Sequence, residues 1–270
     1  MVILGCAPCF DEVTQYSFKW HERLYESVKG EKVELLKGEA VKDKYNQAVK
    51  THNPHIITFY DHGDETSFIG NDLKALLDSG NVDTTSGREV FSMCCLTAKT
   101  LGVEAYRKGC KAWWGYTKPF SFITTSEETF CTLANMGLLL RLEEGCSWPT
   151  ALGKVKEAFD KEVDNSDDPW VIVSLVNDRN ALVCYTDETP PKSDCLFRNL
   201  GIRLFGTSGQ KMSRKCGVTI VLFYIFYGMS AYGYLKENLQ GLEVGCIGLA
   251  GMLASSLILL EEYLRQLRKC

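Results

Sequence analysis

The feature that most constrains the fold is an alternation of short β-branched and aromatic runs with longer amphipathic segments. The run HIITFY at residues 55–60 is typical of a buried strand, whereas residues 127–144 have helical periodicity. Strands that alternate with helices predict a mainly parallel sheet with helices on both faces. We therefore expect an α/β fold with its functional groups beyond the carboxyl ends of the strands.

The same patterns predict the elements along the chain. The predicted strands are 2–5, 32–36, 55–60, 89–94, 111–116, 170–176 and 181–185. The predicted helices are 12–28, 42–51, 72–78, 97–108, 127–144 and 149–163. The expected carboxyl ends of the strands carry the sequences GCAPC, DHGDE, CCLT and YTKPF.

Two uncharged runs stand near the C-terminus, at residues 216–235 and 244–260. Each is long enough to cross a bilayer, so we expect an α/β domain over 1–200 and a two-helix membrane anchor over 201–270. A buried helical hairpin in a soluble core is the alternative. Basic residues before the first run and after the second predict that both termini and the α/β domain face the cytoplasm.

Composition excludes some classes of protein. Charged residues make up 24% of the chain and the net charge is -4, which gives no support for nucleic-acid binding. The twelve cysteines are scattered over a long chain that shows no signal peptide. We therefore expect free thiols in a reducing compartment, with neither a metal site nor a cofactor.

Two of the expected strand ends carry partners for nucleophilic catalysis. One ends in Asp61-His62-Gly63 and the other in Cys94-Cys95, just before a predicted helix. An imidazole and a helix N-terminus both favour the thiolate, which is the attacking species. The backbone N–H groups of Gly63 and Cys95 are candidates for an oxyanion hole.

These motifs resemble those of the caspase-like cysteine peptidases. Asp61-His62-Gly63 resembles the His motif of legumains, and residues 93–98 (MCCLTA) resemble the Ser-Ala-Cys-Glu-Thr-Ala pattern of CHAT domains. Residues 170–190 are similar to the tail of gingipain-like domains. The resemblance covers roughly residues 1–190. It implies a three-layer caspase-like sandwich that hydrolyses peptide bonds in protein or peptide substrates, with His62 as general base and acid and Cys95 as nucleophile.

The chain also departs from the caspases. It lacks their Gln-Ala-Cys motif, so a preference for Asp is not implied. Its interval from His62 to Cys95 is shorter than the roughly 50 residues typical of caspases. Asp61, Asp64, Tyr116 and Lys118 are candidates for the substrate pocket. The motifs specify neither the P1 residue nor the oligomeric state.

Three alternatives stay open at the level of sequence. Cys94 is a rival nucleophile, because successive strand residues point to opposite faces and only one thiol is expected to meet His62. The domain is alternatively a catalytically silent scaffold that recruits proteins to the membrane. Cys6 and Cys9 form a C-x-x-C pair typical of redox proteins.

Overall fold

The computed structural model describes residues 1–191, which all belong to one compact unit. The strands are β1 Val2–Ala7, β2 Glu31–Leu36, β3 Ile56–Tyr60, β4 Phe68–Ile69, β5 Ala75–Leu77, β6 Glu89–Met93, β7 Ala112–Tyr116 and β8 Leu182–Tyr185. The α-helices are α1 Glu12–Ser27, α2 Lys42–His52, α3 Leu101–Arg107, α4 Glu127–Leu142, α5 Trp148–Asn165 and α6 Pro169–Ala181.

Six strands form the central sheet in the order β2-β1-β3-β6-β7-β8. All neighbours are parallel except β7 and β8, which pair antiparallel. Strands β3 and β7 are buried along their whole length, as expected for strands covered on both faces. The predicted α/β fold with a mainly parallel sheet is confirmed, and it is compatible with a caspase-like architecture.

The core lies in two layers, one on each face of the sheet. Helices α1, α4, α5 and α6 cover one face, which we call the α1 face. Helices α2 and α3 and the β4–β5 hairpin cover the other, which we call the α2 face. Alternation along β6 divides its side chains between them: Phe91 and Met93 join the α1 layer, whereas Val90 joins the α2 layer.

A capping box fixes the start of α1, just beyond the carboxyl end of β1. The Asp11 carboxylate accepts a hydrogen bond from the Thr14 N–H at 2.8 Å, and the Thr14 hydroxyl accepts one from the Asp11 N–H at 2.9 Å. Two of the N–H groups that an α-helix leaves without partners are thus satisfied. This box holds Asp11 at the edge of the sheet where the parallel strands end.

Two predicted elements are wrong. Residues 72–78, predicted as a helix, contain β5, which pairs antiparallel with β4. Residues 170–176, predicted as a strand from the run WVIVSLV, lie in α6. Asp168 caps this helix through the N–H groups of Trp170 and Val171, and Pro169 occupies its first turn. These start signals prevail over the β-branched composition.

The predicted membrane anchor lies outside the described residues. Both uncharged runs, 216–235 and 244–260, fall in the part of the chain beyond residue 191. Within residues 1–191, no helix combines the length and the apolar character needed to cross a bilayer.

Candidate active site

The ends of β3 and β6 bring the two predicted catalytic motifs side by side. The strands are parallel neighbours, and their last residues, Tyr60 and Met93, are register partners. The chain segments that follow therefore leave the same edge of the sheet next to each other. His62 comes two residues after Tyr60, and Cys95 two residues after Met93.

Gly63 permits a close approach between these two segments. A β-carbon at this position would lie 2.5 Å from Thr97 Cγ2, 3.0 Å from the Cys95 carbonyl oxygen and 3.2 Å from Cys94 Cβ. Any larger residue would push the segments apart, so the glycine is needed for contact rather than for its backbone angles. The N–H groups of Gly63 and Cys95 donate no hydrogen bond to any other described residue.

The two adjacent thiols have different surroundings. Cys94 is 1% exposed, belongs to the α2 layer, and directs its thiol to the Phe59 carbonyl at 3.6 Å. Burial raises the pKa of the Cys94 thiol well above its usual value. Cys95 is half-buried and lines a cavity on the α1 face together with His62. Of the two thiols, Cys95 is the one that shares a cavity with His62.

The Cys95 thiol points to a backbone carbonyl. Its Sγ lies 3.9 Å from the Phe120 oxygen, and no hydrogen bond within residues 1–191 joins it to His62. Burial raises the pKa of the thiol, the negative charge of Asp178 raises it further, and backbone hydrogen bonds with Phe120 and Cys95 offset these effects only in part. The thiol is therefore protonated at rest and needs a base to become a nucleophile.

The turn after Cys95 differs from the prediction. The helix expected from residue 97 starts only at Leu101, so Cys95 does not stand at a helix N-terminus. Leu96 instead adopts a left-handed conformation, with φ at 60°. Thr97 is buried and its hydroxyl pairs with Ser92 at 3.1 Å. A non-glycine residue with positive φ is costly, and such residues are frequent at functional sites.

Asp11 is the hydrogen-bond partner of His62. Its Oδ2 lies 2.8 Å from His62 Nε2, so the carboxylate accepts the Nε2 proton and leaves Nδ1 with the lone pair of a base. Partial burial acts to raise the pKa of Asp11, but hydrogen bonds from Thr14 and His62 outweigh it and lower the pKa. The carboxylate stays ionised and can orient the imidazole.

The cavity beside His62 and Cys95 is small, about 40 Å³. Helix α1 contributes residues such as Trp20 to one wall, and Phe120 and Phe122 form another. The aromatic rings pack edge to face, with Phe122 and Trp20 centroids 5.1 Å apart. This volume holds a few water molecules but no large side chain, so a larger group could enter only if these aromatic rings moved.

The predicted substrate-pocket residues divide into two groups. Asp61 lines the cavity, is 6% exposed, and leaves Oδ2 without a hydrogen-bond partner among the described residues. Asp64 instead stabilises a turn by accepting the N–H groups of Thr66 and Ser67. Tyr116 is the last residue of β7 and is fully buried, and Lys118 is exposed. Neither of them lines the cavity.

Several residues at or near the cavity were missed by the sequence analysis, among them Asp11, Phe120 and Asp178. Asp11 carries the signal of a helix cap, but nothing in the sequence connects it with His62. Phe120 is the last residue of the strand-end sequence YTKPF, but it was not predicted to be a site residue. Asp178 lies in α6, a segment wrongly predicted as a strand, and its side chain is fully buried.

The C-x-x-C pair gains no support as a redox site. Cys6 lies inside β1 and is fully buried, and burial raises the pKa of its thiol well above the usual value. Reactive cysteines need the opposite, a lowered pKa and solvent access. The eight described cysteines are all free thiols, including Cys6 and Cys9.

In comparisons with known proteins, no family model matches the chain, and no curated protein matches its sequence.

Proposed function

We propose that this chain is a cysteine endopeptidase of the caspase-like type, with His62 as base and Cys95 as nucleophile. One observation carries the proposal: His62, itself held by Asp11, and Cys95 line the same cavity at the carboxyl edge of adjacent parallel strands. Functional groups of open α/β sheets gather at this edge. The substrate would be a protein or peptide.

The chemistry would proceed in two stages. In the first, His62 Nδ1 takes the thiol proton, the thiolate attacks the peptide carbonyl, and His62 then protonates the departing amine. The carbonyl carbon is left bonded to Cys95 as a thioester. In the second, His62 takes a proton from a water molecule, which attacks the thioester and releases the acid and the free thiol. Asp11 holds the imidazole during both stages.

Developing negative charge on the substrate oxygen needs hydrogen-bond donors. The N–H groups of Gly63 and Cys95 are available, because neither donates to another residue within the described part of the chain. Removing one such donor from a peptidase typically costs about a hundredfold to a thousandfold in rate. The contact between Gly63 and Cys95 would set the spacing of the two donors.

The proposal includes attachment to a membrane. It rests on the uncharged runs 216–235 and 244–260, and on the basic residues flanking them. With both termini on the cytoplasmic side, the peptidase domain would act on proteins at that surface.

A catalytically silent scaffold is the second candidate. The resting thiol favours it, because Cys95 points to the Phe120 carbonyl instead of His62 and has a raised pKa. The small volume of the cavity also favours the silent scaffold. Against it, catalytic hydrogen bonds in free enzymes are often long and tighten only when substrate binds.

The test is covalent labelling of the full-length chain by an electrophilic peptide probe, with the labelled cysteine located by mass spectrometry. A peptidase gives labelling at Cys95 that falls at least tenfold in His62→Ala, while Cys94→Ala behaves like the parent. His55→Ala is the matched histidine control, because His55 lies at the opposite end of β3. Labelling that is indifferent to His62 would leave the silent scaffold as the better account.

A further inference from the structure

The end of α6 holds the segment that covers the Cys95 thiol. This segment, residues 117–123, links β7 to the region before α4. The Thr117 N–H and hydroxyl both donate to the Ala181 carbonyl, at 2.9 and 3.0 Å. The Asn177 side chain donates to the Pro119 carbonyl at 2.9 Å, and the Ser121 N–H donates to Asp178 Oδ1 at 3.0 Å. Four hydrogen bonds thus join the segment to one helix end.

The other side of the same segment meets the proposed active site. The Phe120 carbonyl accepts the contact from the Cys95 thiol, and the rings of Phe120 and Phe122 wall the cavity. The Lys118 carbonyl accepts the N–H of Leu96, which directly follows Cys95. A shift of the segment would therefore change the surroundings of the thiol and the shape of the cavity together.

Among the groups that join α6 to the segment, Asp178 is unusual because it is a buried carboxyl. Its side chain is fully buried, Oδ1 accepts from Ser121 and Asn177, and Oδ2 has no partner within the described residues. A buried carboxyl that is only half satisfied costs stability. Burial raises its pKa to about 8, although its hydrogen bonds lower the pKa in part. Among residues 1–191, the charge of Asp178 raises the pKa of two titratable groups, the Cys95 thiol and the Tyr116 phenol.

We infer that Asp178 is a positioning residue for Cys95, which fixes the 117–123 segment through Ser121 so that Phe120 meets the thiol and shapes its cavity. This inference rests on the proposed peptidase function, since it adds a residue that positions the proposed nucleophile. Asp178 touches no reacting atom. It acts through the segment and through its charge on the thiol.

The test compares three variants of the full-length chain. Asp178→Asn keeps an oxygen that can accept the Ser121 N–H but removes the charge. Asp178→Ala removes both. Asp160→Asn is the matched control, because Asp160 pairs with Arg179 of α6 and, among the described residues, makes no hydrogen bond or ion pair with the segment. Two quantities are measured: the pH profile of Cys95 alkylation by iodoacetamide, read by mass spectrometry, and kcat/KM on a peptide substrate.

Asp178→Asn is expected to lower the pH midpoint of Cys95 alkylation by about half a unit or more, because an ionised carboxylate no longer opposes the thiolate. It should keep kcat/KM within about threefold of the parent. Asp178→Ala should show the same pH shift, a kcat/KM lower by about tenfold or more because the segment is misplaced, and faster alkylation at neutral pH. Asp160→Asn should match the parent in every measurement.

Unchanged midpoints in both Asp178 variants, or an Asp178→Ala protein with the kcat/KM and the alkylation rate of the parent, would overturn the inference. If Asp178→Ala does not fold, the isosteric Asp178→Asn decides alone by its midpoint. Alkylation does not depend on turnover. If the parent cleaves no peptide but the Asp178 variants show the pH shifts, the proposed peptidase function is wrong and the positioning role is supported. If the parent cleaves peptides but the shifts are absent, the peptidase function is supported and the positioning role is wrong.

Discussion

The two faces of the sheet give the end of β6 different surroundings. On the α2 face, Cys94 sits in a sealed layer formed by α2, α3 and the β4–β5 hairpin. On the α1 face, Cys95 borders a cavity that also contains the His62 and Asp61 side chains. The alternation of side chains along β6 continues past Met93, its last residue, and so separates two identical neighbouring groups in this way. One face thus contributes packing, and the other contributes the groups that can react.

The faces also differ in what their buried polar groups do. Near Cys94, the Ser92 and Thr97 hydroxyls satisfy each other and tie the turn to the strand. Near Cys95, the Asp178 carboxyl keeps one oxygen without a partner among the described residues. The α2 layer also has an unpartnered polar atom, Trp113 Nε1, but an unsatisfied buried carboxyl is more costly, and perturbed acidic groups concentrate where a protein does chemistry.

Replacing each thiol in turn is the strongest way to break this comparison. Cys95→Ala should lower peptidase kcat by about ten-thousandfold or more, because the nucleophile is lost. Cys94→Ala should leave kcat/KM within about threefold and destabilise the chain by about 1 kcal/mol, the effect of a small buried group. Steady-state cleavage of a peptide library and urea denaturation measure the two effects. Equal activity losses in both variants would contradict the division between the faces.

The dependence of stability on pH gives a second large effect, specific to the α1 face. The folded chain keeps the Asp178 proton up to a pH of about 8, whereas the unfolded chain releases it near pH 4. Folded Asp178 therefore binds more protons between these values, and stability falls as pH rises from about 4 to about 8. Asp178→Asn should reduce this decline by about 1.4 kcal/mol for each pH unit between the two pKa values, which amounts to roughly 5 kcal/mol.

Urea denaturation at several pH values between 4 and 9 measures that decline. Asp61, whose pKa burial also raises, contributes with the same sign in both proteins, so the difference between parent and variant isolates Asp178. Asp160→Asn, the exposed control on the ion pair with Arg179, should retain the decline of the parent. A parent whose stability is flat over this range would show that Asp178 ionises in the folded state as an ordinary carboxyl does.

Much of the fold follows from hydrophobic pattern. Six of the seven predicted strands match observed strands, because runs such as residues 56–60 are buried on both faces and read as continuous apolar segments. The exception, residues 170–176, has the same composition but forms α6. Only one stripe of this helix, including Val171 and Leu175, is buried, while Trp170 is 74% exposed. The strand prediction was wrong because it relied on composition and ignored the helix start signal Asp168-Pro169.

The site was predictable only where it follows from strand ends. His62 and Cys95 each follow a buried strand, and the parallel pairing of β3 and β6 brings them to one edge. Asp11 and Asp178 reach the same region from two helices distant in sequence. Their contacts depend on how α1 and α6 pack on the sheet, which local pattern does not specify. The prediction of a helix N-terminus at Cys95 was wrong, because the chain turns at Leu96 in a left-handed conformation before the helix begins.

Asp11 provides a sharper test of the α1 face with a smaller expected effect. Asp11→Asn should lower kcat/KM by roughly tenfold to a hundredfold, because the imidazole loses an anionic partner that orients it. Stability should change by no more than about 0.5 kcal/mol, since asparagine caps a helix as well as aspartate does. Asp168→Asn, the same change at the cap of α6, should affect neither quantity. If Asp11→Asn lowers the stability of the chain as well as kcat/KM, the role of Asp11 is that of a helix cap alone.

The smallest expected effect concerns the sealed α2 face. Thr97→Val keeps the shape of the side chain and its Cγ2 contact with Gly63, but removes the hydroxyl that pairs with Ser92. The remaining buried hydroxyl loses its partner, so the free energy of unfolding should fall by about 1–2 kcal/mol. Peptidase kcat/KM should stay within about threefold, because the turn keeps its backbone bonds from Ala98 to Tyr116 and from Leu96 to Lys118. Urea denaturation and peptide cleavage measure both. A rate loss much larger than threefold would mean that the sealed face also positions Cys95, and that the two faces of the sheet are not independent at this edge.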